Sequence, residues 1–225
     1  MIKLTYFAHS AFSLEFEKFK ILIDPFITGN PLAPVEAKNL NADYIVLSHG
    51  HGDHLGDTID IAKRCKSTVI AVNELANYIN SKGVNAHNMH IGGVYSFPFG
   101  KVKFTIAHHG SSSPEGDYMG EPAGILLMIN GKTIYHAGDT GLFMDMKLIG
   151  ETNKIDVAML PIGGNFTMDV DDAVKASEFL KANLVIPIHF NTFPVIQADA
   201  DLFVEKVKKA GLTARKLNFG ETIEL

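Results

Sequence analysis

The chain has 225 residues, 46% of them hydrophobic, and a formal net charge of −5. This length and composition suit a globular protein, and we expect residues 1–225 to form a single domain without repeats or linkers. The charge gives no sign of a nucleic-acid-binding surface, and no apolar run approaches the roughly 18–20 residues of a membrane span. A single cysteine, Cys65, excludes an internal disulfide and fits a reducing compartment. With no signal-peptide pattern at the N-terminus, we expect a cytoplasmic protein with a small-molecule substrate, no nucleic-acid partner and no membrane contact.

The first half of the chain alternates predicted strands and helices. Alternating or β-branched apolar runs predict strands at residues 12–16, 20–25, 44–47 and 68–72. The spacing of Leu55, Ile59 and Ala62 predicts a short helix. Asn73 is expected to cap a second helix, which stops at Gly83.

The second half is richer in strands. Strands are predicted at residues 102–107, 124–129, 133–137, 155–160 and 184–188, and helices at about 170–180 and 198–210, followed by a closing strand. Asn-Gly at 130–131 predicts a hairpin, and Asp169 lies at the expected start of a helix. Two β-rich halves with helices imply two sheets with helices outside them. Periodicity alone leaves a doubly wound α/β sheet equally open.

The most informative stretch is residues 48–54, Ser-His-Gly-His-Gly-Asp-His, which directly follows the predicted strand 44–47. Imidazole and carboxylate groups are typical ligands of zinc and neighbouring divalent metals. Four such groups in one loop exceed what a single open metal site needs from it, so the motif favours two metal ions. The alternative is a solvated, histidine-rich turn.

Three further polar residues follow predicted strands at their C-terminal ends, namely His109, Asp139 and His189. Strand ends that meet along one edge of a sheet give a site rigid support. Each residue alone could equally be a core histidine or a loop aspartate. Together with the motif they make five histidines and two aspartates, which two metals sharing a carboxylate and a water would use.

The pattern His-x-His-x-Asp-His resembles the signature of the metallo-β-lactamase superfamily, and the three later residues follow in that family's order. The resemblance implies an α/β fold: a four-layer αββα sandwich of two mixed β-sheets with helices outside. Residues 4–12, 135–141 and 189–194 also look like a small, stand-alone branch of metal-dependent hydrolases. That branch is similar to the L-ascorbate-6-phosphate lactonases.

The same resemblance assigns the ligands of two divalent metal ions. It gives His49, His51 and His109 to the first metal, Asp53, His54 and His189 to the second, and Asp139 as the bridge. His109 is preferred to its neighbour His108 because the family places this ligand ahead of a small residue. Zinc is the expected ion, with manganese or iron as alternatives.

Five further residues are candidates for orienting a ligand or contacting substrate: His9, Asp24, His108, His136 and Asn191. Asp24 resembles the family's early aspartate, which hydrogen-bonds around the metal loop. His9 and His136 could orient a ligand or contact substrate, or could be ordinary turn histidines. His108 would orient a ligand or be exposed, and Asn191 could donate a hydrogen bond to a substrate oxygen.

These features favour a dinuclear metal-dependent hydrolase that cleaves a small ester, with a lactone as the first choice. Asp53 and Asp139 are the expected catalytic residues, and no protein nucleophile is evident. The alternatives are a phosphodiesterase for small cyclic or dinucleotide phosphodiesters and, less favoured, a β-lactamase. A diiron redox protein would carry glutamate instead of His51 together with a flavin domain, and a non-catalytic metal-binding protein would have lost ligands. The sequence leaves open whether the chain forms a homo-oligomer.

Overall fold

The computed structural model describes residues 1–225 and contains strands, helices and two compact units. The strands are β1 Lys3–Ala8, β2 Ala11–Phe16, β3 Phe19–Ile23, β4 Tyr44–Val46, β5 Thr68–Val72, β6 Ala86–Met89, β7 Val94–Phe97, β8 Gly100–Ile106, β9 Ala123–Ile129, β10 Lys132–His136, β11 Val157–Pro161, β12 Leu184–Ile188 and β13 Thr222–Glu224. The helices are α1 Gly52–Leu55, α2 Thr58–Cys65, α3 Asn73–Ser81, α4 Asp145–Thr152, α5 Val170–Leu180 and α6 Ala200–Lys209. The first unit comprises residues 1–93, 110–122 and 218–225, and the second comprises 94–109 and 123–217. None of the helices is long and apolar enough to cross a membrane.

The first unit is built on a mixed sheet with the strand order β13-β1-β2-β3-β4-β5-β6. Strands β13, β1, β2 and β3 pair antiparallel, and β3 to β6 pair parallel. Helices α2 and α3 pack on the parallel half, where they bury Ile61, Leu75 and Ile79. Because Ile23 pairs with Val46, β3 and β4 end side by side. The chain therefore leaves both strands at the same edge of the sheet.

The second unit contains a mixed sheet with the order β12-β11-β10-β9-β8-β7. Strands β7 to β10 pair antiparallel, whereas β10, β11 and β12 pair parallel. Helix α5 packs on β11 between α4 and α6, and this layer buries Phe203, Leu180 and Ala176 against the sheet. The Asp169 carboxylate accepts a hydrogen bond from the Asp172 N–H at 2.9 Å, which confirms the predicted start of α5.

Two local predictions in the first unit are wrong. The single helix expected across Leu55, Ile59 and Ala62 is divided, because Gly56 has a φ of +43° and ends α1 before α2 begins. A Cβ at Gly56 would lie 2.4 Å from the Pro25 carbonyl oxygen, so a side chain does not fit there. Asn73 is the first residue of α3 rather than its cap, and its side-chain oxygen accepts a hydrogen bond from Asn88 at 2.9 Å.

Candidate metal centre

In the first unit, the motif of residues 48–54 lies where the central strand β4 ends. This strand is held on both sides by parallel pairing with β3 and β5. His51 is the extended N-cap residue of α1, and Asp53 and His54 lie within that single helical turn. A strand held in the middle of a sheet and a short helix thus fix the backbone of all four candidate ligands.

Asp24 and Ser48 hold His54 in one orientation. The Asp24 carboxylate follows β3, is fully buried, and accepts hydrogen bonds from Ser48 N at 2.8 Å and from Ser48 Oγ at 2.5 Å. His54 Nδ1 lies 2.8 Å from Asp24 Oδ2. Donation from Nδ1–H to the carboxylate leaves Nε2 of a neutral ring as the metal-binding atom, which is the usual arrangement around histidine ligands.

His49 and His51 present two ring nitrogens to the same place. His49 Nδ1 lies 2.9 Å from Ser48 Oγ, and its Nε2 lies 2.9 Å from His51 Nδ1. Metal–nitrogen distances of about 2.0–2.1 Å put two imidazole nitrogens on one ion roughly 3 Å apart. The spacing of His49 Nε2 and His51 Nδ1 therefore fits two ligands of a common metal.

Asp53, the remaining ligand candidate of the motif, lies beside His9. His9 Nε2 is 3.2 Å from Asp53 Oδ2. The candidate ligand atoms of His9, Asp53 and His54 lie within 4.8 Å of one another. Asp53 is 26% exposed, whereas His9 and His54 are fully buried.

In the second unit, His109, Asp139 and His189 come together although they follow three different strands. Asp139 Oδ2 lies 3.0 Å from His189 Nε2 and 3.5 Å from His109 Nε2. Asp139 and His189 are buried, and His109 is 13% exposed. One oxygen of the Asp139 carboxylate therefore faces Nε2 of two imidazole rings.

His108 and His136 support the loop that carries Asp139. The His108 N–H donates to Thr140 Oγ1 at 2.9 Å, and its carbonyl accepts from Gly141 N at 3.1 Å. The His108 ring packs edge-on against Phe143, with centroids 5.1 Å apart. His136 Nδ1 accepts a hydrogen bond from Gly138 N at 3.1 Å.

Asn191 closes the loop that follows His189. Its side-chain oxygen accepts from Ala198 N at 2.9 Å, and its N–H donates to the Ile196 carbonyl at 2.8 Å. His189 and Asn191 both have positive φ angles, +53° and +60°. The amide oxygen is therefore engaged in holding residues 191–198, immediately after a candidate ligand.

Three residues without a predicted role contact the motif or the side chains around it. Ser48 contacts Asp24, His49 and His54, and its position directly before His49 was the only available signal. Ser111 Oγ accepts from Gly50 N at 3.1 Å. The Tyr6 hydroxyl donates to the His9 carbonyl at 3.0 Å, and neither contact had a signal in the sequence.

The four candidate ligands of the first unit and the three of the second form two ligand sets, and both fit divalent metal ions such as zinc. All seven residues offer imidazole nitrogen or carboxylate oxygen, which are ligands of zinc, manganese and iron. Nδ1 of His49 contacts Ser48 Oγ, and Nδ1 of His54 contacts the Asp24 carboxylate. Nε2 of each ring is therefore the nitrogen directed to the other candidate ligands. The donor chemistry and the outer hydrogen bonds both agree with metal binding.

Comparison with known proteins agrees with this chemistry. Residues 20–190, which include all seven candidate ligands, match the family model of the beta-lactamase superfamily domain. A UPF0173 metal-dependent hydrolase from Anoxybacillus flavithermus is 56% identical over 228 residues, with both chains covered completely. The chain belongs to the metallo-β-lactamase superfamily. Within it, the chain is a metal-dependent hydrolase.

Solved structures confirm the predicted α/β fold of two mixed sheets with helices. A metallo hydrolase from the hyperthermophilic archaeon Ignicoccus hospitalis superposes with a TM-score of 0.91 at 40% identity, covering 99% of this chain and 97% of that one. An isothiocyanate hydrolase from Delia radicum gut bacteria has a TM-score of 0.78 at 21% identity and covers 99% of both chains. The second likeness shows the shared fold alone.

Proposed function

We propose that the seven candidate ligands hold two divalent metal ions, most simply zinc, and that the protein hydrolyses a neutral lactone. The observation that carries the dinuclear part is the Asp139 carboxylate, one oxygen of which faces Nε2 of both His109 and His189. Family membership supports metal-dependent hydrolysis, and the matched range, residues 20–190, includes all seven candidate ligands. This proposal rests on chemistry within each unit and on the family pattern.

In this centre the first metal would be held by His49, His51 and His109, and the second by Asp53, His54 and His189, with Asp139 shared. Two such ions supply an activated water near neutral pH and stabilise the charge that develops on the attacked carbonyl oxygen. Asp53 would hold the attacking water in line and carry its proton to the leaving alkoxide.

The charge of the loops supports a neutral substrate. The segments after β8, β10, β11 and β12 are residues 107–122, 137–144, 162–169 and 189–199, and they contain acidic residues but no lysine or arginine. Large apolar side chains are exposed on the last three, at Met144, Phe166 and Val195. Phosphate groups are normally bound by arginine and lysine. Loops of this composition favour an uncharged ester with an apolar part over a phosphodiester or a phosphorylated sugar.

The decisive experiment measures metal content and hydrolysis together. Purified protein, reconstituted with Zn²⁺ and dialysed, would be assayed with an N-acyl homoserine lactone, a sugar lactone, bis-p-nitrophenyl phosphate and nitrocefin. Asp139→Asn is the test variant, and Asp145→Asn, which alters an exposed carboxylate of the same unit, is the matched control.

About two metals per chain and lactone turnover are expected in the wild type and in Asp145→Asn, with both lost in Asp139→Asn. Turnover of bis-p-nitrophenyl phosphate instead of a lactone would overturn the substrate class. Fewer than two bound metals after reconstitution would overturn the dinuclear centre itself.

A further inference from the structure

His9 lies in the left-handed backbone region, which few residues other than glycine adopt. It begins the tight connection between β1 and β2, in which Ala8 pairs with Ala11, and its φ is +57°. In such turns glycine or asparagine is the usual residue, because a positive φ strains other side chains. Yet the His9 side chain is fully buried. A strained and buried histidine indicates that the imidazole itself is needed there.

The surroundings of His9 leave its ring little freedom. Tyr6, which is fully buried, donates its hydroxyl hydrogen to the His9 carbonyl at 3.0 Å. Burial raises the pKa of the Tyr6 phenol far above its ordinary value, so the hydroxyl remains a donor. The imidazole packs edge-on against Phe26 and His54, with centroid distances of 5.7 and 5.5 Å. The turn, the hydrogen bond from the Tyr6 hydroxyl and the packing of the ring together fix the direction of Nε2.

That direction leads to the Asp53 carboxylate, where His9 Nε2 and Asp53 Oδ2 are 3.2 Å apart. We propose that His9 is a positioning residue: its Nε2–H donates to Oδ2 and holds the Asp53 carboxylate in the orientation in which it would bind the second metal. This inference rests on the proposed function, because it requires a metal bound by Asp53. The pairing mirrors the one at His54, where a carboxylate orients an imidazole ligand; here an imidazole orients a carboxylate ligand.

A pair of amide substitutions separates this role from a role in the turn. In His9→Gln the side-chain nitrogen reaches about as far as Nε2, whereas in His9→Asn it reaches only as far as Nδ1. Asparagine, however, is the better residue for a positive φ. Positioning of Asp53 therefore predicts that Gln is the better replacement, and a purely conformational role predicts that Asn is.

The affinity of the metal-free protein for Zn²⁺ would be measured by calorimetric titration, with unfolding of the metal-free variants followed in parallel. His9→Asn should weaken one of the two binding events by about 10–100-fold, the usual effect of losing an outer partner of a ligand. His9→Gln should recover most of that affinity, and exposed His90→Ala in the same unit should match the wild type. Equal affinities for His9→Asn and the wild type, or a better result for Asn than for Gln, would overturn the proposal.

A double-mutant cycle with Asp53→Ala tests whether His9 acts through Asp53. If it does, His9→Asn has no further effect on zinc affinity once Asp53 is removed. A further loss in the double variant would identify His9 as a metal ligand in its own right and overturn the positioning role. Failure of the wild type to bind two metals would instead count against the proposed function, so the two failures are distinguishable.

Discussion

The first unit offers its four candidate ligands, His49, His51, Asp53 and His54, within one short stretch between β4 and α2. The second unit offers three, His109, Asp139 and His189, which come from the ends of three different strands. A contiguous motif keeps its ligands adjacent by covalent connection, whereas a dispersed set depends on how strands are aligned. The two sets are therefore sensitive to different kinds of substitution.

The support around the ligands differs in the same way. In the first unit polar side chains brace the ligands, with Asp24 and Ser48 around His54 and His9 beside Asp53. In the second unit the contacts around Asp139 involve the backbone of its loop, including Gly138 N and Gly141 N. Substitution of a bracing side chain should therefore affect the first set most, and a change in backbone packing should affect the second.

The largest effect is expected at Asp139 of the second unit, the carboxylate that we propose is shared by both metals. Asp139→Asn removes the charge that faces both His109 and His189, so we expect both metals to be lost and kcat to fall by about 10²–10³-fold or more. Asp53→Asn should cost mainly one metal. Elemental analysis of the two variants after identical dialysis measures the difference, and equal metal loss from both would contradict the proposed sharing.

The brace at Asp24 should give the next largest effect. The buried Asp24 carboxylate accepts from Ser48 N through Oδ1, and its Oδ2 contacts Ser48 Oγ and His54 Nδ1. Asp24→Asn removes its charge and replaces one of these two acceptor oxygens by an NH₂ group. We expect about 10–100-fold weaker binding of one metal and a loss of about 1–3 kcal/mol in the free energy of unfolding. Zinc titration and urea unfolding of the metal-free protein check the two numbers, with the exposed Asp60→Asn as the control. Unchanged zinc affinity would show that the brace is dispensable.

The contrast between the two units also explains how far sequence reasoning could reach. The motif after β4 was recognisable because its ligands are adjacent, and strands such as 184–188 were clear from their apolar runs. The position of His109 and Asp139 after predicted strands made them candidates, but their assignment as metal ligands depended on the order of motifs in a known family. The proximity of His9 to Asp53 could not be foreseen, since it depends on where the β1–β2 turn lies relative to α1.

Elements without an amphipathic pattern were missed. Strand β6, Ala-His-Asn-Met, has no apolar alternation and is held at the edge of its sheet by backbone pairing with β5. Helix α4 contains Gly150, which looks like a helix breaker in the sequence. A Cβ at this position would lie 2.4 Å from the Phe179 carbonyl oxygen, so the glycine permits close packing of α4 on α5. Tertiary packing, which a local pattern does not encode, decided both elements.

Glycine substitutions near the ligands test whether the ligands of the second unit depend on close backbone packing. A Cβ at Gly163 would lie 2.3 Å from the His189 carbonyl oxygen, whereas a Cβ at Gly141 meets nothing within 4 Å. We expect Gly163→Ala to displace His189, with a loss of about 1–3 kcal/mol in stability and weaker zinc binding, and Gly141→Ala to be tolerated. Thermal unfolding and zinc titration of the pair measure this. Wild-type zinc affinity in Gly163→Ala would mean that His189 does not depend on this backbone contact.

The first unit contains a matching pair of glycines. A Cβ at Gly50 would lie 2.6 Å from Met119 Cβ and Cγ, but a Cβ at Gly110 would make an ordinary 3.8 Å contact with His51. Met119 Cβ is attached to the backbone and the Met119 side chain is buried, so we expect Gly50→Ala to displace the backbone near Met119 and weaken zinc binding, and Gly110→Ala to be tolerated. Wild-type zinc affinity in Gly50→Ala, together with weaker binding in Gly163→Ala, would show that the dispersed set is the one more sensitive to backbone packing.

The smallest effect is expected at Asp156, which lies at the start of the strands that lead to Asp139 and His189. Its carboxylate accepts from Thr133 N at 2.9 Å and from the Lys132 ammonium at 3.2 Å. Partial burial acts to raise the pKa of Asp156, but these hydrogen bonds and the Lys132 charge outweigh it and hold the pKa below its ordinary 3.8. A lowered pKa in the folded state means that the ionised carboxylate stabilises the fold above about pH 4, and that this contribution disappears as the pH falls through the folded-state value.

Asp156→Asn should therefore lower the free energy of unfolding by about 1–2 kcal/mol at pH 7. The difference from the wild type should shrink as the pH falls below 3.8, which urea unfolding at a series of pH values measures. Zinc affinity at pH 7 should stay unchanged, because β10, β11 and β12 retain their ladder of backbone hydrogen bonds. A fall in zinc affinity would show that Asp156 helps to align these strands from the end opposite the ligands. Asp139 and His189 would then depend on a residue that contacts neither of them.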